Sequence, residues 1–87
     1  MILKEGYYHK HVSAAYHLGT CYLNGIVVEK NAATAVKYFK EASDGGLGAA
    51  SYALSKCYNE GIGVAQDKYE SRRLLAKAKQ QGFEVSE

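Results

Sequence analysis

The sequence has 87 residues, 47% of them hydrophobic, so it forms at most one domain and is too apolar for a disordered chain. Eleven basic and nine acidic residues leave a net charge of +2, which gives no reason to expect nucleic acid as a partner. No apolar run reaches about 18 residues, so we expect no membrane insertion.

An internal repeat of 36 residues organises the chain. Residues 11–46 align with 47–82 without a gap, and a period of this length is typical of solenoids. We therefore predict an all-α fold, an α/α solenoid of two helix-turn-helix repeats in one domain over 1–87. Residues 1–10 are then a lead-in or the remnant of an upstream helix. The identical pairs are Ala14/Ala50, Tyr16/Tyr52, Leu18/Leu54, Cys21/Cys57, Tyr22/Tyr58, Gly25/Gly61, Ile26/Ile62, Val28/Val64, Ala42/Ala78 and Gly46/Gly82.

The first repeat is predicted to begin with a helix over 12–24, because small and apolar residues recur there with a helical period. The residues of this predicted buried face are Ala14, Leu18, Cys21, Tyr22 and Gly25. Gly25 ends the helix, and Ile26 and Val28 are expected to tuck the following loop against the core. Asn31 then caps a second helix, which Gly45 and Gly46 end. Its inward residues are Ala35, Tyr38, Phe39 and Ala42.

In the second repeat, glycines and a capping residue mark the ends of the helices in the same way. Its first helix is predicted over 48–60, and Gly61 and Gly63 form the turn that follows. Asp67 and Glu70 have the spacing of a capping box, which predicts the start of the last helix. That helix is predicted to bury Leu74, Leu75 and Ala78 and to end at Gly82.

The two cysteines, Cys21 and Cys57, occupy the same position in successive repeats. Packed helices lie about 8–10 Å apart, whereas a disulfide needs Cα atoms within about 7 Å. We therefore expect two free thiols in the core. Free thiols and the absence of a visible signal peptide predict a cytoplasmic location.

The spacing of alanine, tyrosine and glycine resembles the SEL-1-like repeat family. The pattern is Ala-Ala-Tyr-x-Leu-Gly-x-x-Tyr-x-x-Gly-Ile-x-Val over 14–28, then Ala-x-x-Tyr-Phe-x-x-Ala over 35–42, and most of it recurs in the second repeat. The sequence departs from the family in lacking the loop proline, in placing Val27 where the second loop glycine would be, and in carrying Leu74 and Leu75 instead of an aromatic pair.

The resemblance implies an α/α solenoid similar to tetratricopeptide repeats. It also implies an adaptor function, since members of the family bring other proteins together in bacterial signalling, endoplasmic-reticulum degradation complexes and fungal cell-wall regulation. It does not identify the partner.

A partner would bind on the inner surface, which the first helix of each repeat lines. Tyrosine favours such a surface because it offers a large rigid ring and a hydrogen bond. The alternative is that Tyr16 and Tyr52 simply pack between helices. The predicted partner-binding residues are Tyr16, Thr20, Leu23, Asn24, Tyr52, Lys56, Asn59 and Glu60.

The sequence contains no recognisable catalytic set, and we expect neither an enzyme nor a cofactor. His9, His11 and His17 lack the number and spacing of ligands that a metal site requires. The basic residues of the last helix are interrupted by Asp67 and Glu70 and are interpreted as a solvated face. The predicted function is therefore a protein- or peptide-binding adaptor. The alternative is a structural fragment of a longer array that self-associates or swaps through its repeat ends, as a homo-oligomer.

Overall fold

The computed structural model describes the backbone of residues 2–83 and the side chains of residues 11–83. Helix follows helix along the chain, and the described backbone contains no strand. The first helix packs against the second, the second against the third and the third against the fourth, which confirms the predicted all-α solenoid of two repeats. The helices are α1 (Ile2–Asn24), α2 (Ala32–Asp44), α3 (Gly48–Glu60) and α4 (Lys68–Gln80).

Helix α1 begins at Ile2, well before the predicted start at residue 12. That prediction was wrong because residues 2–10 contain no proline, and Gly6 is their only glycine. One glycine inside a helix costs about 1 kcal/mol but does not end the helix. Within residues 2–83, no helix is both long enough and apolar enough to cross a membrane.

The second helix of each repeat starts at the predicted cap. The side-chain oxygen of Asn31 accepts a hydrogen bond from the backbone N–H of Thr34 at 3.1 Å. Asp67 does the same for Glu70 at 3.0 Å. Each bond satisfies one of the N–H groups that the first turn of a helix leaves without a partner, so both predicted caps are confirmed.

Only one of the two hydrogen bonds of the predicted capping box at α4 is present. Glu70 does not reach back to the cap, because its carboxylate accepts a hydrogen bond from Arg73 Nε at 3.0 Å. The backbone N–H of Asp67 donates instead to the carbonyl oxygen of Tyr58 at 2.8 Å. The chain that enters α4 is thereby tied to the end of α3.

The core lies where α2 packs between α1 and α3. Phe39 is its largest fully buried side chain. Gly19 allows α1 to approach, because a Cβ atom there would lie 2.8 Å from the ring carbons of Phe39. The buried residues of this cluster are Ala35, Val36, Phe39, Leu54, Cys57 and Leu74. A second cluster consists of Val12, Ala15, Ala42 and Ala50.

The predicted buried face of α1 is largely exposed. Ala14 is exposed and Leu18 is 39% exposed, whereas Leu54, the repeat equivalent of Leu18, is 3% exposed. Cys21 is half-buried, whereas Cys57 is buried. The prediction was wrong for the first repeat because α2 covers this face of α3, and no described helix covers the same face of α1.

The loop between α1 and α2 holds Val27 in a left-handed conformation, with φ of 71°. The equivalent residue of the second repeat is Gly63, with φ of 74°. The left-handed region costs an L-residue roughly 1–2 kcal/mol, and a β-branched residue is a marked outlier there. Val27 is 97% exposed, so no packing compensates for this strain.

Replacing Val27 with glycine is expected to stabilise the fold. Relief of about 1–2 kcal/mol of strain exceeds the entropy cost of glycine of about 0.5–1 kcal/mol, so we expect Tm to rise by about 4 °C. The reciprocal variant Gly63→Val should lose about 2–3 kcal/mol, because its Cβ would meet the Ala32 carbonyl oxygen. Thermal unfolding followed by circular dichroism measures both effects. A lower Tm for Val27→Gly would contradict the strain argument.

A buried hydrogen-bond network joins α2, α3 and the end of α4. Ser51 Oγ donates to Gln81 Oε1 at 2.6 Å. A hydroxyl has one hydrogen, so Ser43 Oγ must be the donor in its 2.6 Å contact with Ser51 Oγ. Gln81 Nε2 completes the network by donating to the carbonyl oxygen of Ser43 at 3.1 Å. Every polar side-chain atom of the network therefore has a partner.

Removing the central hydroxyl should be costly. We expect Ser51→Ala to lower the free energy of unfolding by about 1–3 kcal/mol, because the buried Ser43 hydroxyl loses its acceptor. Ser43→Ala combined with Ser51→Ala should cost less than the sum of the single changes. Urea denaturation measures these values, with Ser13→Ala on the exposed side of α1 as the control. Additive single and double values would show that the network is not coupled.

Candidate functional site

A groove with a volume of about 410 Å³ lies between α1 and α3. Six of the eight residues predicted to bind a partner line it, three from each helix: Tyr16, Thr20, Leu23, Tyr52, Lys56 and Glu60. The remaining lining residues are Phe39, Ala49, Ala53, Cys57, Ile62 and Phe83. The surface is thus mostly apolar, with an ammonium group and a carboxylate on α3.

Tyr16 and Tyr52 are both half-buried, and each packs against a phenylalanine. The ring of Tyr16 lies 5.7 Å from that of Phe39, tilted by 47°. The ring of Tyr52 lies 5.0 Å from that of Phe83, tilted by 31°. Each tyrosine therefore packs between elements and also contributes to the groove, so the two interpretations of these residues are compatible.

The polar groups of the groove are partly engaged within the protein. Thr20 Oγ1 donates to the carbonyl oxygen of Tyr16 at 3.1 Å, one helical turn away. Lys56 Nζ lies 5.5 Å from the centre of the Tyr52 ring, within the distance for a cation–π contact. Lys56 and Glu60 are exposed, so both charges remain accessible to a ligand.

Asn24 and Asn59, the other two predicted residues, do not line the groove and are exposed at the ends of their helices. Asn24 Nδ2 donates to the carbonyl oxygen of Thr20 at 3.1 Å. The carbonyl oxygen of Asn59 accepts a hydrogen bond from Gln66 Nε2 at 2.8 Å. The groove therefore includes six of the eight predicted residues and excludes both asparagines.

Phe39 and Phe83 line the groove, although the sequence pattern does not predict them as groove residues. Phe39 was predicted only as a core residue, and its helix was not expected to reach the inner surface. Phe83 follows the last helix, but it lies 36 residues after Leu47. Leu47 packs against the same cluster as Tyr16. One period later, the equivalents of Tyr16 and Leu47 are Tyr52 and Phe83, whose rings are in contact, so the period relates the two pairs once the position of Leu47 is known.

Ile62 lines the groove and packs against the core together with Val64. Its equivalent in the first repeat, Ile26, is 51% exposed. The prediction that Ile26 tucks its loop against the core was therefore wrong, whereas Val28 is half-buried. The difference again reflects the lack of a described helix beside α1 on that side.

Cys57 lies at the base of the groove but is only 2% exposed. Burial raises the pKa of its thiol, and the nearby Glu60 carboxylate raises it further, against a smaller opposing effect of Lys56. The thiol is consequently protonated at neutral pH and is a poor nucleophile. Its role in the groove is that of a small apolar residue.

The two cysteines should differ in reactivity. Because Cys21 is half-buried and Cys57 is buried with a raised pKa, iodoacetamide at mildly alkaline pH should alkylate Cys21 much faster in the native protein. Mass spectrometry of the digested protein separates the two sites. The rates should converge in denaturant, which serves as the control. Equal rates in the native state would contradict the burial of Cys57.

The histidines and the basic residues of α4 are the other candidate chemical groups. The described side chains contain no group of three histidine, cysteine or acidic residues that would hold a metal, and the His9 side chain lies outside the described residues. Within α4, the Glu70 carboxylate binds Arg73. Lys77 of α4 pairs with Asp44 of α2, and its Nζ atom lies 3.5 Å from Asp44 Oδ1. Two of the basic side chains of α4 are therefore paired with carboxylates, as is usual on a solvated helix face.

Comparison with known proteins gives consistent matches. The family model described as Sel1 repeat matches residues 12–47 and 48–83, two consecutive repeats. A Sel1 repeat protein from Oxalobacter formigenes superimposes with a TM-score of 0.80 and 30% identity, over 83% of this chain and 30% of that chain. The protective antigen c5321 of uropathogenic Escherichia coli strains, which displays an SLR fold, superimposes with a TM-score of 0.78 and 32% identity, over 82% of this chain and 15% of that chain.

This chain therefore spans less than a third of the length of either similar structure. A search of curated proteins gives no significant match. The family match nevertheless covers both repeats and agrees with the helix order and the period. The chain belongs to the Sel1 repeat family.

Proposed function

We propose that this chain binds a peptide segment of a partner protein in the groove between α1 and α3. Sel1 repeat proteins are generally protein-interaction scaffolds and are typically not enzymes. The observation that carries the proposal is the groove itself, which two tyrosines and two phenylalanines line together with small alanines. Its volume of about 410 Å³ falls in the range of roughly 300–1,000 Å³ that is usual for ligand pockets.

The preferred ligand is an extended segment with an aromatic or large aliphatic side chain. Phe83 of this chain supports this choice, because its phenyl ring packs on Tyr52 within the groove. Aromatic side chains supply much of the binding energy at protein interfaces because they bury a large rigid surface. Lys56 and Glu60 would then contact polar groups of the ligand at the edge of the apolar surface.

A cytoplasmic location forms part of this proposal. Cys21 and Cys57 are both free thiols, and disulfides are rare in the reducing cytoplasm. The proposed partner is a protein or peptide, and nucleic acid is not proposed because the basic groups of α4 are partly paired with Asp44 and Glu70.

Selection from a displayed library of random peptides tests the proposed site. We expect enriched peptides to share an aromatic or large aliphatic residue, and to shift the NMR signals of groove residues such as Tyr16 and Tyr52. Thr20→Arg should weaken binding at least about tenfold, about 1.4 kcal/mol, because the longer side chain fills the groove. Calorimetric titration with one selected peptide measures the loss.

Thr34→Arg is the matched control. Thr34 is half-buried on α2, outside the groove, and the change introduces the same side chain. It should leave the affinity unchanged. The proposal would be refuted if selected peptides shifted signals on α4 instead, or if both arginine variants lost affinity equally while remaining folded.

A further inference from the structure

The loops that follow α1 and α3 have the same backbone conformation. Gly25 and Gly61 have φ values of 69° and 70°, and Val27 and Gly63 have values of 71° and 74°. The two loops therefore share both left-handed positions, and the second of these positions is valine in one loop and glycine in the other.

In the second repeat, this loop contacts the first turn of α2. A Cβ atom on Gly63 would lie 2.5 Å from the carbonyl oxygen of Ala32 and 3.0 Å from the backbone nitrogen of Ala33. A carbon atom cannot approach a carbonyl oxygen so closely without a severe clash. Helix α2 can therefore pack on α3 in this position only because residue 63 is glycine.

In the first repeat, the equivalent position carries a side chain. A helix that packed on α1 as α2 packs on α3 would bring a carbonyl oxygen against the Cβ of Val27. We propose that Val27 blocks this packing, and that it thereby prevents copies of the chain from stacking head to tail. Head-to-tail self-association, one form of the alternative function expected from the sequence, needs this contact.

The helix that would stack in a head-to-tail array is α4 of another copy, since α4 is the repeat equivalent of α2. Val36 and Ser43 of α2 are buried against the α3 side, where Ser43 binds Ser51. Their equivalents on α4 are Arg72 and Lys79, both exposed.

Stacking would therefore bury two positive charges against α1. Residues 11–24 of α1 contain no acidic side chain that would pair with them. Burial of an unpaired charge is strongly unfavourable. The steric block at Val27 and the charge on α4 thus oppose head-to-tail stacking of this chain independently.

Light scattering coupled to size-exclusion chromatography, over a wide range of protein concentration, tests the proposal with four versions of the 87-residue chain. These are the unaltered chain, Val27→Gly, the pair Arg72→Val and Lys79→Ser, and all three changes together. We expect only the triple variant to form oligomers whose mass rises with concentration. Its association constant should exceed that of the paired variant at least about tenfold, about 1.4 kcal/mol.

A second triple variant, with Val27→Ala in place of Val27→Gly, is the matched control. Alanine keeps the Cβ atom that causes the clash, so this protein should remain monomeric. Circular dichroism confirms that each variant is folded. The proposal is overturned if the unaltered chain assembles, if the paired variant assembles as readily as the triple variant, or if the folded triple variant stays monomeric.

Discussion

The contact between Phe39 and the backbone of α1 at Gly19 holds the rest of the structure in place. A residue larger than glycine at position 19 would meet the phenyl ring at 2.8 Å, so α1 and α2 pack closely only because this position lacks a side chain. The same ring contacts Tyr16 and lies at the base of the groove between α1 and α3. One buried aromatic residue thus connects the core to the proposed binding surface.

Equivalent residues of the two repeats have different environments. Leu54 and Cys57 lie in the core, while Leu18 is partly exposed and Cys21 is half-buried. The residues and their helical spacing are the same, so neither accounts for the difference. It arises because α3 lies between two helices and α1 has a described neighbour on one side only. In a solenoid, the burial of a repeat position depends on the neighbouring repeat.

The loops that follow α1 and α3 differ in the opposite way, because two different residues adopt the same backbone conformation. Val27 and Gly63 adopt nearly equal φ values, but Gly63 lies against the first turn of α2, whereas Val27 is 97% exposed. Glycine at position 63 permits α2 to pack closely on α3, and a valine in the same backbone conformation would not. The groove between α1 and α3 is lined mostly by apolar side chains and does not involve either of these two loop positions.

The sequence by itself determined the helical repeat, the caps at Asn31 and Asp67, and six of the residues that line the groove. Helix periodicity and capping depend on residues within a few positions of one another, and the 36-residue period carries them from one repeat to the next. The tertiary structure alone decided that Leu18 is exposed and that Phe39 and Phe83 reach the groove. These features depend on which helix covers which face, and that is set by contacts between residues far apart in the chain.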